Sequence, residues 1–289
     1  MIEPVRIHLP ISDGAISCLA WETTGPLLHF AHATGFNAET YRSIVAPLAE
    51  RFRIAASDQR GHGFSSLPVR PGLAEGWTVY RDDLVQILDR LGQPAILSGH
   101  SMGATVSLMA AAQRPNRVLG LVLLEPVTIP AMARLLRVWT RATGRNPGPD
   151  LAQRAAQRRA TFPSFEAALA AYTGRGAFRS WPTAIVADYL RGGLVENASR
   201  DGVRLACAPA WEAETFRSTP FGTASLVRHV KCPITVLHGS IGSTCVDSEA
   251  ALFARAGARV VKIDGASHFL PMEFSARVRE EIVRLAANN

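Results

Sequence analysis

The chain has 289 residues, 47% of them hydrophobic, and a mean hydropathy of +0.09. These values indicate a globular chain that can bury a large core and exclude a disordered one. No apolar run approaches the roughly 18 residues that a membrane span requires, and the first residues lack the zones of a signal peptide. We therefore expect a cytoplasmic protein without stable membrane insertion.

The formal net charge of +7 is concentrated in one segment. Residues 126–228 contain 14 Arg against 7 Asp or Glu. A solvated helical face explains that distribution, and so does an electropositive rim that attracts anionic substrate or lipid. No aromatic-basic interleaving or nucleic-acid motif accompanies the arginines, so we expect no nucleic-acid partner.

Predicted strands and helices alternate along the first part of the chain, from residue 15 to residue 125. Continuous apolar strands, such as the one ending in GLVLL at 120–124, are typical of a buried parallel sheet. Alternation of this kind predicts such a sheet with helices on both faces. The predicted strands are 15–21, 27–31, 53–57, 95–98 and 118–124, and the predicted helices are 41–51, 79–91 and 102–114.

The texture of the sequence changes after Pro126. The following residues are rich in Ala and Arg and have helical periodicity, broken at 144–149 and at Trp181-Pro182, with no clear strand. Strand and helix alternate again near the end of the chain, with strands at 234–238 and 259–263 and helices at 248–256 and 274–287. We therefore predict an α/β core formed by residues 1–126 and 229–289, with a helical cap inserted at 127–228.

The run GHSMG at 99–103 lies between a predicted strand and a predicted helix. In that context G-x-S-x-G marks a sharp turn that exposes the serine at the carboxyl edge of the sheet. The glycines at both ends of the motif leave room for the turn. Ser101 is therefore a candidate nucleophile, and the N–H of Met102, which follows it, is a candidate oxyanion donor.

Three further runs occur in the order that a known family shows. HATGF at 32–36 is similar to an oxyanion loop, with Ala33 departing from the usual Gly. DQRGHGFS at 58–65 matches a D-x-R-G-x-G-x-S turn, and GASHF at 265–269 is similar to a loop that presents a histidine. Together with the serine motif, these runs resemble the α/β-hydrolase superfamily. The resemblance implies a mostly parallel eight-stranded sheet with helices on both faces and an inserted helical cap.

The resemblance also implies roles for other residues. His268 would be the general base, and the N–H of Thr34 the second oxyanion donor. His32 fits either a structural role in its loop or a chemical one, and the structural role is the preferred interpretation.

The acid of the expected triad is missing from its usual place, since VLHGSIGSTC at 236–245 contains no carboxylate. Glu125 is the first residue after the strand 118–124, which a right-handed crossover places beside the nucleophile strand. Some superfamily members, including a branch of the haloalkane dehalogenases, carry their acid at that position. We predict Glu125 as the acid; Asp247, or no acid at all, remains the alternative.

A serine at the turn, where epoxide hydrolases and dehalogenases of this superfamily have an aspartate, predicts an acyl-enzyme. The predicted function is hydrolysis of a small-molecule carboxylic ester with a small or medium acyl group. Thioesterase, lactonase, C–C hydrolase and perhydrolase activities stay open on the same triad. Two other classes also remain: a non-enzymatic small-molecule binder and a scaffold that acts through its Arg-rich segment. The sequence leaves the oligomeric state open.

The substrate pocket is expected among apolar residues of the cap and its surroundings. No cofactor or metal is indicated, because the four cysteines form no CxxC or CxxH group and neither glycine-rich run completes a nucleotide motif. The predicted pocket residues are His100, Leu135, Trp139, Trp181 and Phe269.

Overall fold

The computed structural model describes residues 2–133, 151–199 and 201–287. In these residues eight strands form a large sheet, and three short strands form a second one. The strands are β1 Val5–Ile11, β2 Gly14–Trp21, β3 Leu27–Ala31, β4 Arg53–Ser57, β5 Ala95–His100, β6 Val118–Leu124, β7 Thr161–Phe162, β8 Leu194–Glu196, β9 Val203–Leu205, β10 Ile234–Gly239 and β11 Arg259–Ile263.

The large sheet has the spatial order β1-β2-β4-β3-β5-β6-β10-β11. Its first two pairings, β1 with β2 and β2 with β4, are antiparallel, and the remaining pairings are parallel. Helices are numbered through the described residues. They are α1 Arg42–Val45, α2 Thr78–Leu91, α3 Met102–Gln113, α4 Leu151–Ala156, α5 Phe165–Tyr172, α6 Thr183–Gly193, α7 Pro209–Arg217, α8 Asp247–Arg255, α9 Leu270–Glu273 and α10 Ser275–Ala287.

Two hydrophobic cores lie on opposite faces of the sheet. Along β6, Val122 and Leu124 belong to the core that α1 and α10 cover, whereas Leu121 and Leu123 belong to the core under α2, α3 and α8. Successive side chains of a strand point to opposite faces, so a strand buried on both faces is apolar throughout. The expected α/β architecture, with a mostly parallel eight-stranded sheet, is confirmed.

Two local predictions differ from the structure. The edge strand β1 was not predicted, although its apolar residues alternate at Val5, Ile7, Leu9 and Ile11. The helix expected at 41–51 is a single turn of α-helix between two 3-10 turns, Glu39–Tyr41 and Ala46–Glu50. Pro47 lies at the start of the second turn, where its missing N–H prevents a continuous α-helix.

A third difference from the prediction lies in the segment between β6 and β10. No strand was expected there, but β7, β9 and β8 form an antiparallel sheet in that order. These strands have two or three residues each, which is too short for an alternating pattern to appear in the sequence. Among the described residues, no helix is long and apolar enough to cross a membrane.

Candidate active site

Neighbouring parallel strands bring the candidate residues to one edge of the sheet. His100, at the end of β5, is paired with Leu124 of β6, and Leu124 is paired with Leu237 of β10. The Ser101 N–H donates to the Leu124 carbonyl at 2.9 Å, and the Glu125 N–H donates to the Leu237 carbonyl at 2.8 Å. Ser101 and Glu125 therefore leave the sheet side by side.

Ser101 lies in a strained turn between β5 and α3. Its φ of 55° is in the left-handed region, where a residue with a side chain is disfavoured. A Cβ on Gly99 would lie 2.5 Å from the Gly103 carbonyl carbon, and one on Gly103 would lie 2.2 Å from the Ala31 oxygen. Both glycines are thus required by close backbone approach. The serine side chain reaches the surface of the site, since the residue is 7% exposed.

His268 lies between the serine and the glutamate. Its Nε2 is 3.1 Å from Ser101 Oγ, and its Nδ1 is 3.2 Å from Glu125 Oε2. A carboxylate oxygen only accepts, so Nδ1 carries the hydrogen and Nε2 has the free lone pair that can accept the serine hydroxyl. The structure therefore brings these three predicted residues together in the order that nucleophilic catalysis needs.

Glu125 is fully buried and held by the loop after β10. Oε1 accepts the Gly239 N–H, while Oε2 accepts the Thr244 N–H and the Ser243 hydroxyl, both at 3.0 Å. Burial raises the pKa of Glu125, but the hydrogen bonds from His268, Gly239 and Thr244 outweigh it and hold the pKa below its usual value. The carboxylate is thus charged at neutral pH.

The alternative acid, Asp247, lies away from this cluster. It is exposed at the first turn of α8 and pairs with Lys262 Nζ at 3.0 Å. Asp247 is the first residue of that helix, and the capping position before it, Val246, makes no side-chain cap bond.

Residues 32–36, the predicted oxyanion loop, lie against the start of α3. The Thr34 hydroxyl contacts Met102 Sδ at 3.4 Å, so the two predicted donor residues are neighbours. Met102 is the first residue of α3, where an N–H has no partner within the helix. Thr34 follows β3, the neighbour of β5 in the sheet.

Two buried histidines hold this loop in place. His62 Nε2 accepts the Gly35 N–H at 3.0 Å, and His32 Nε2 accepts the Gln59 N–H at 2.8 Å. Their other nitrogens, the Nδ1 atoms, donate to the carbonyls of Arg60 and Ala33 respectively. Burial lowers the pKa of His32 to about 4 and that of His62 to about 3, so both are neutral. These contacts are those of a structural role.

Aromatic side chains lie over the site. The ring of Trp181 is 5.2 Å from Phe36, in the oxyanion loop, and 5.5 Å from Phe269, which follows the histidine. Phe36 and Phe269 are 6.4 Å apart. Two of the predicted pocket residues, Trp181 and Phe269, therefore contact each other, and the Phe269 ring lies 5.7 Å from that of His268. The other two cap residues of that prediction, Leu135 and Trp139, lie outside the described residues.

His100, the fifth predicted pocket residue, is fully buried beneath the site. Its Nδ1 is 2.7 Å from Tyr41 Oη, and its Nε2 is 2.8 Å from the His268 carbonyl oxygen. Both ring nitrogens are therefore occupied within the protein.

Sequence reasoning missed Ser243 and Thr244, which hold Glu125. The run 239–246 has no carboxylate, but its hydroxyls and amides are the donors that a carboxylate on the neighbouring strand needs. The sequence feature that could have indicated these donors is the group of small polar residues Ser240, Ser243 and Thr244.

The family model for the alpha/beta hydrolase fold matches residues 26–275, which is most of the chain. This protein belongs to that family.

Curated relatives match over part of their length. The chain is 37% identical over 103 residues to 2-(acetamidomethylene)succinate hydrolase of Mesorhizobium japonicum, covering 35% of this chain and 36% of that protein. It is 30% identical over 132 residues to human monoglyceride lipase, covering 42% and 43%. The matched region is thus less than half of either relative.

Solved structures match over nearly the whole chain. E-2-(acetamidomethylene)succinate hydrolase has a TM-score of 0.79 at 23% identity, with 98% of this chain and 99% of that chain covered. The thioesterase domain from the curacin biosynthetic pathway has a TM-score of 0.73 at 20% identity, with 97% and 99% covered. At such identities the likeness shows the fold.

Proposed function

We propose that the protein is a serine hydrolase that cleaves a carboxylic ester through an acyl-enzyme. The observation that carries the proposal is the pair of contacts made by His268, one to Ser101 Oγ at 3.1 Å and one to Glu125 Oε2 at 3.2 Å. A serine hydroxyl is a weak nucleophile until an oriented base takes its proton.

In the first half of the reaction, Ser101 Oγ attacks the ester carbonyl carbon while His268 Nε2 takes the hydroxyl proton. The tetrahedral intermediate then collapses, the carbon–oxygen bond to the alcohol breaks, and His268 returns the proton to the leaving alcohol. Water repeats the sequence on the acyl-enzyme and releases the acid. Glu125 holds the Nδ1–H tautomer and stabilises the imidazolium ion that forms twice in the cycle.

The oxyanion is assigned to the backbone N–H groups of Met102 and Thr34. Support comes from the contact between these residues and from the position of Met102 at the start of α3, where the helix dipole favours negative charge. The buried histidines that fix the loop allow the donors to be preorganised, which is the largest part of such stabilisation.

The substrate is proposed to be a small molecule with an apolar acyl or alcohol group. The aromatic rings of Phe36, Trp181 and Phe269 over the site support that choice. The relative named monoglyceride lipase agrees with an ester substrate.

Residues 127–228 are proposed to act as a cap that sets the substrate preference. Supporting this, Trp181 and Tyr189 of the segment pack against Phe36, Tyr189 at a ring distance of 5.7 Å. The segment is mixed in structure, with helices and the small β7-β9-β8 sheet.

The test uses p-nitrophenyl esters of increasing chain length with purified protein. An acyl-enzyme predicts a burst of chromophore equal to the amount of active sites, followed by slower turnover. A fluorophosphonate should label Ser101 and abolish the burst. Labelling of another residue with Ser101 untouched would falsify the mechanism.

A further inference from the structure

A buried chain of hydrogen bonds joins the three loops of the site from below. The Ala33 N–H lies 3.3 Å from Tyr41 Oη, which lies 2.7 Å from His100 Nδ1. His100 Nε2 is in turn 2.8 Å from the carbonyl oxygen of His268. Tyr41 and His100 are both 0% exposed. The chain thus starts in the oxyanion loop, passes the residue before the nucleophile and ends on the backbone of the base.

The direction of every hydrogen bond in this chain is fixed. The His268 carbonyl only accepts, so His100 Nε2 carries the hydrogen and Nδ1 is the acceptor. The Tyr41 hydroxyl therefore donates to Nδ1, and its oxygen receives the Ala33 N–H. Burial holds the pKa of His100 well below its ordinary value, which keeps the ring in this neutral form.

We infer that Tyr41 and His100 are positioning residues that hold the oxyanion loop, the nucleophile turn and the base loop in register. The inference rests on the proposed function, because it assigns the two residues to the alignment of Ser101, His268 and the Thr34 loop. Neither side chain reaches the surface, so each acts through the backbone groups of other residues.

Backbone geometry explains why this chain matters for the reaction. His268 follows β11, which is separated from β5 in the sheet by two strands, so no direct strand pairing links it to Ser101. Its ring also contacts Ser101 and Glu125, but the His100 bond fixes the backbone from which the ring projects. A misplacement of about 1 Å can slow catalysis roughly 100-fold.

The experiment measures two rates on folded variants: the rate at which a fluorophosphonate labels Ser101, and the turnover of a p-nitrophenyl ester. Labelling depends on the serine and its base but not on the natural substrate. Tyr41→Phe should slow both rates about tenfold and leave KM within roughly twofold, because it removes two buried hydrogen bonds and leaves His100 Nδ1 and the Ala33 N–H unpaired.

His100 variants provide an independent arm. His100→Leu removes both bonds and should slow labelling roughly 100-fold, whereas His100→Gln keeps an amide donor for the His268 carbonyl and should recover about tenfold of that loss. If these residues served packing alone, the labelling rates of the variants would follow side-chain shape and melting temperature, and His100→Gln would not label faster than His100→Leu for its retained donor. If Tyr41→Phe does not fold, the two His100 variants decide the question.

Tyr80→Phe is the matched control. Tyr80 is also buried, but in the hydrophobic core on the other face of the sheet, and its hydroxyl is 2.8 Å from Thr215 Oγ1. It should lose stability as Tyr41→Phe does and label at the rate of the unmodified protein.

The outcomes separate the inference from the proposed function. The inference alone is overturned if Ser101 is labelled in the unmodified protein and the folded Tyr41→Phe and His100→Leu variants are labelled just as fast. Failure of the unmodified protein to label at Ser101 overturns the proposed function, and this inference with it.

Discussion

The two sides of His268 are built in different ways. On the side of the proposed nucleophile, Ser101 is positioned mainly by its own chain neighbours, since Gly99, Met102 and Gly103 form the turn, with one backbone hydrogen bond to Leu124. On the acid side, Glu125 is held by Gly239, Ser243 and Thr244, which are more than 110 residues away in the sequence.

The difference gives a physical reason why the proposed acid can lie at either of two strand ends while the proposed nucleophile is confined to one turn. The nucleophile depends on a strained local turn that only one short motif provides. The base needs only a carboxylate near Nδ1, and adjacent strands lie about 4.8 Å apart, so the end of either β6 or β10 can supply it. Here the loop after β10 supplies donors instead of the carboxylate.

The largest expected effect breaks the nucleophile side. Ser101→Ala should lower kcat by roughly 10⁶-fold, because the reaction loses its acyl-enzyme. The fold should persist, since the Ser101 backbone is unchanged by the substitution. Ester hydrolysis and circular dichroism check the two statements; Ser225→Ala, at an exposed position of the turn Thr223–His229, serves as the control.

The next effect breaks the acid side. Glu125→Gln should lower kcat about 10³- to 10⁴-fold with little change in KM, because the imidazolium loses its counter-charge and His268 can take the wrong tautomer. Asp247→Asn should stay near normal, because Asp247 is exposed and pairs only with Lys262 among the described residues. The reverse result, a crippled Asp247→Asn beside a normal Glu125→Gln, would return the acid to the loop after β10.

A smaller effect concerns Trp181 and the aromatic residues that it contacts. Trp181→Ala should change the preferred acyl chain length more than it slows the best substrate, because its ring contacts Phe36 and Phe269 and not the reacting groups. A series of p-nitrophenyl esters measures the profile, with Trp211→Phe as control, since Trp211 belongs to the hydrophobic core on the other face of the sheet. An unchanged profile would contradict a substrate-defining role.

The smallest expected effect is the pH dependence of the free energy of unfolding, and it comes from the two histidines that hold the loop beside Ser101. His32 and His62 have folded pKa values of about 4 and about 3, below the ordinary 6.5. The unfolded chain therefore binds more protons, and the free energy of unfolding should fall as the pH drops from about 6.5 towards 4. Each histidine contributes at most about 1.4 kcal/mol per pH unit. Glu125, with its lowered pKa, adds its own loss only below its ordinary value of 4.5.

Urea unfolding at pH 7 and pH 5 measures this slope. His62→Gln should reduce the slope, because the variant has no titrating group at that position while His32 still titrates. An equal slope in the variant would show that His62 does not stay neutral in the folded protein.

Local patterns in the sequence were enough to predict most of the sheet and the turn that carries Ser101. The strands β3, β4, β6 and β11 have the predicted bounds. In β3, β4 and β6 the apolar run of a buried strand is visible without knowledge of its partners, whereas the edge strand β11 is only partly buried. The family was equally readable, since its motifs are short runs whose glycines and polar residues serve the local turn.

Tertiary structure decided what depends on partners distant in the chain. The hydroxyls of Ser243 and Thr244 have no meaning in the sequence until β10 pairs with β6 and brings them to Glu125. The Tyr41–His100 chain likewise forms only when loops from separate strands meet beneath the site. Sequence determines local conformation through sterics and periodicity, whereas hydrogen bonds between remote loops depend on the packing of the whole sheet.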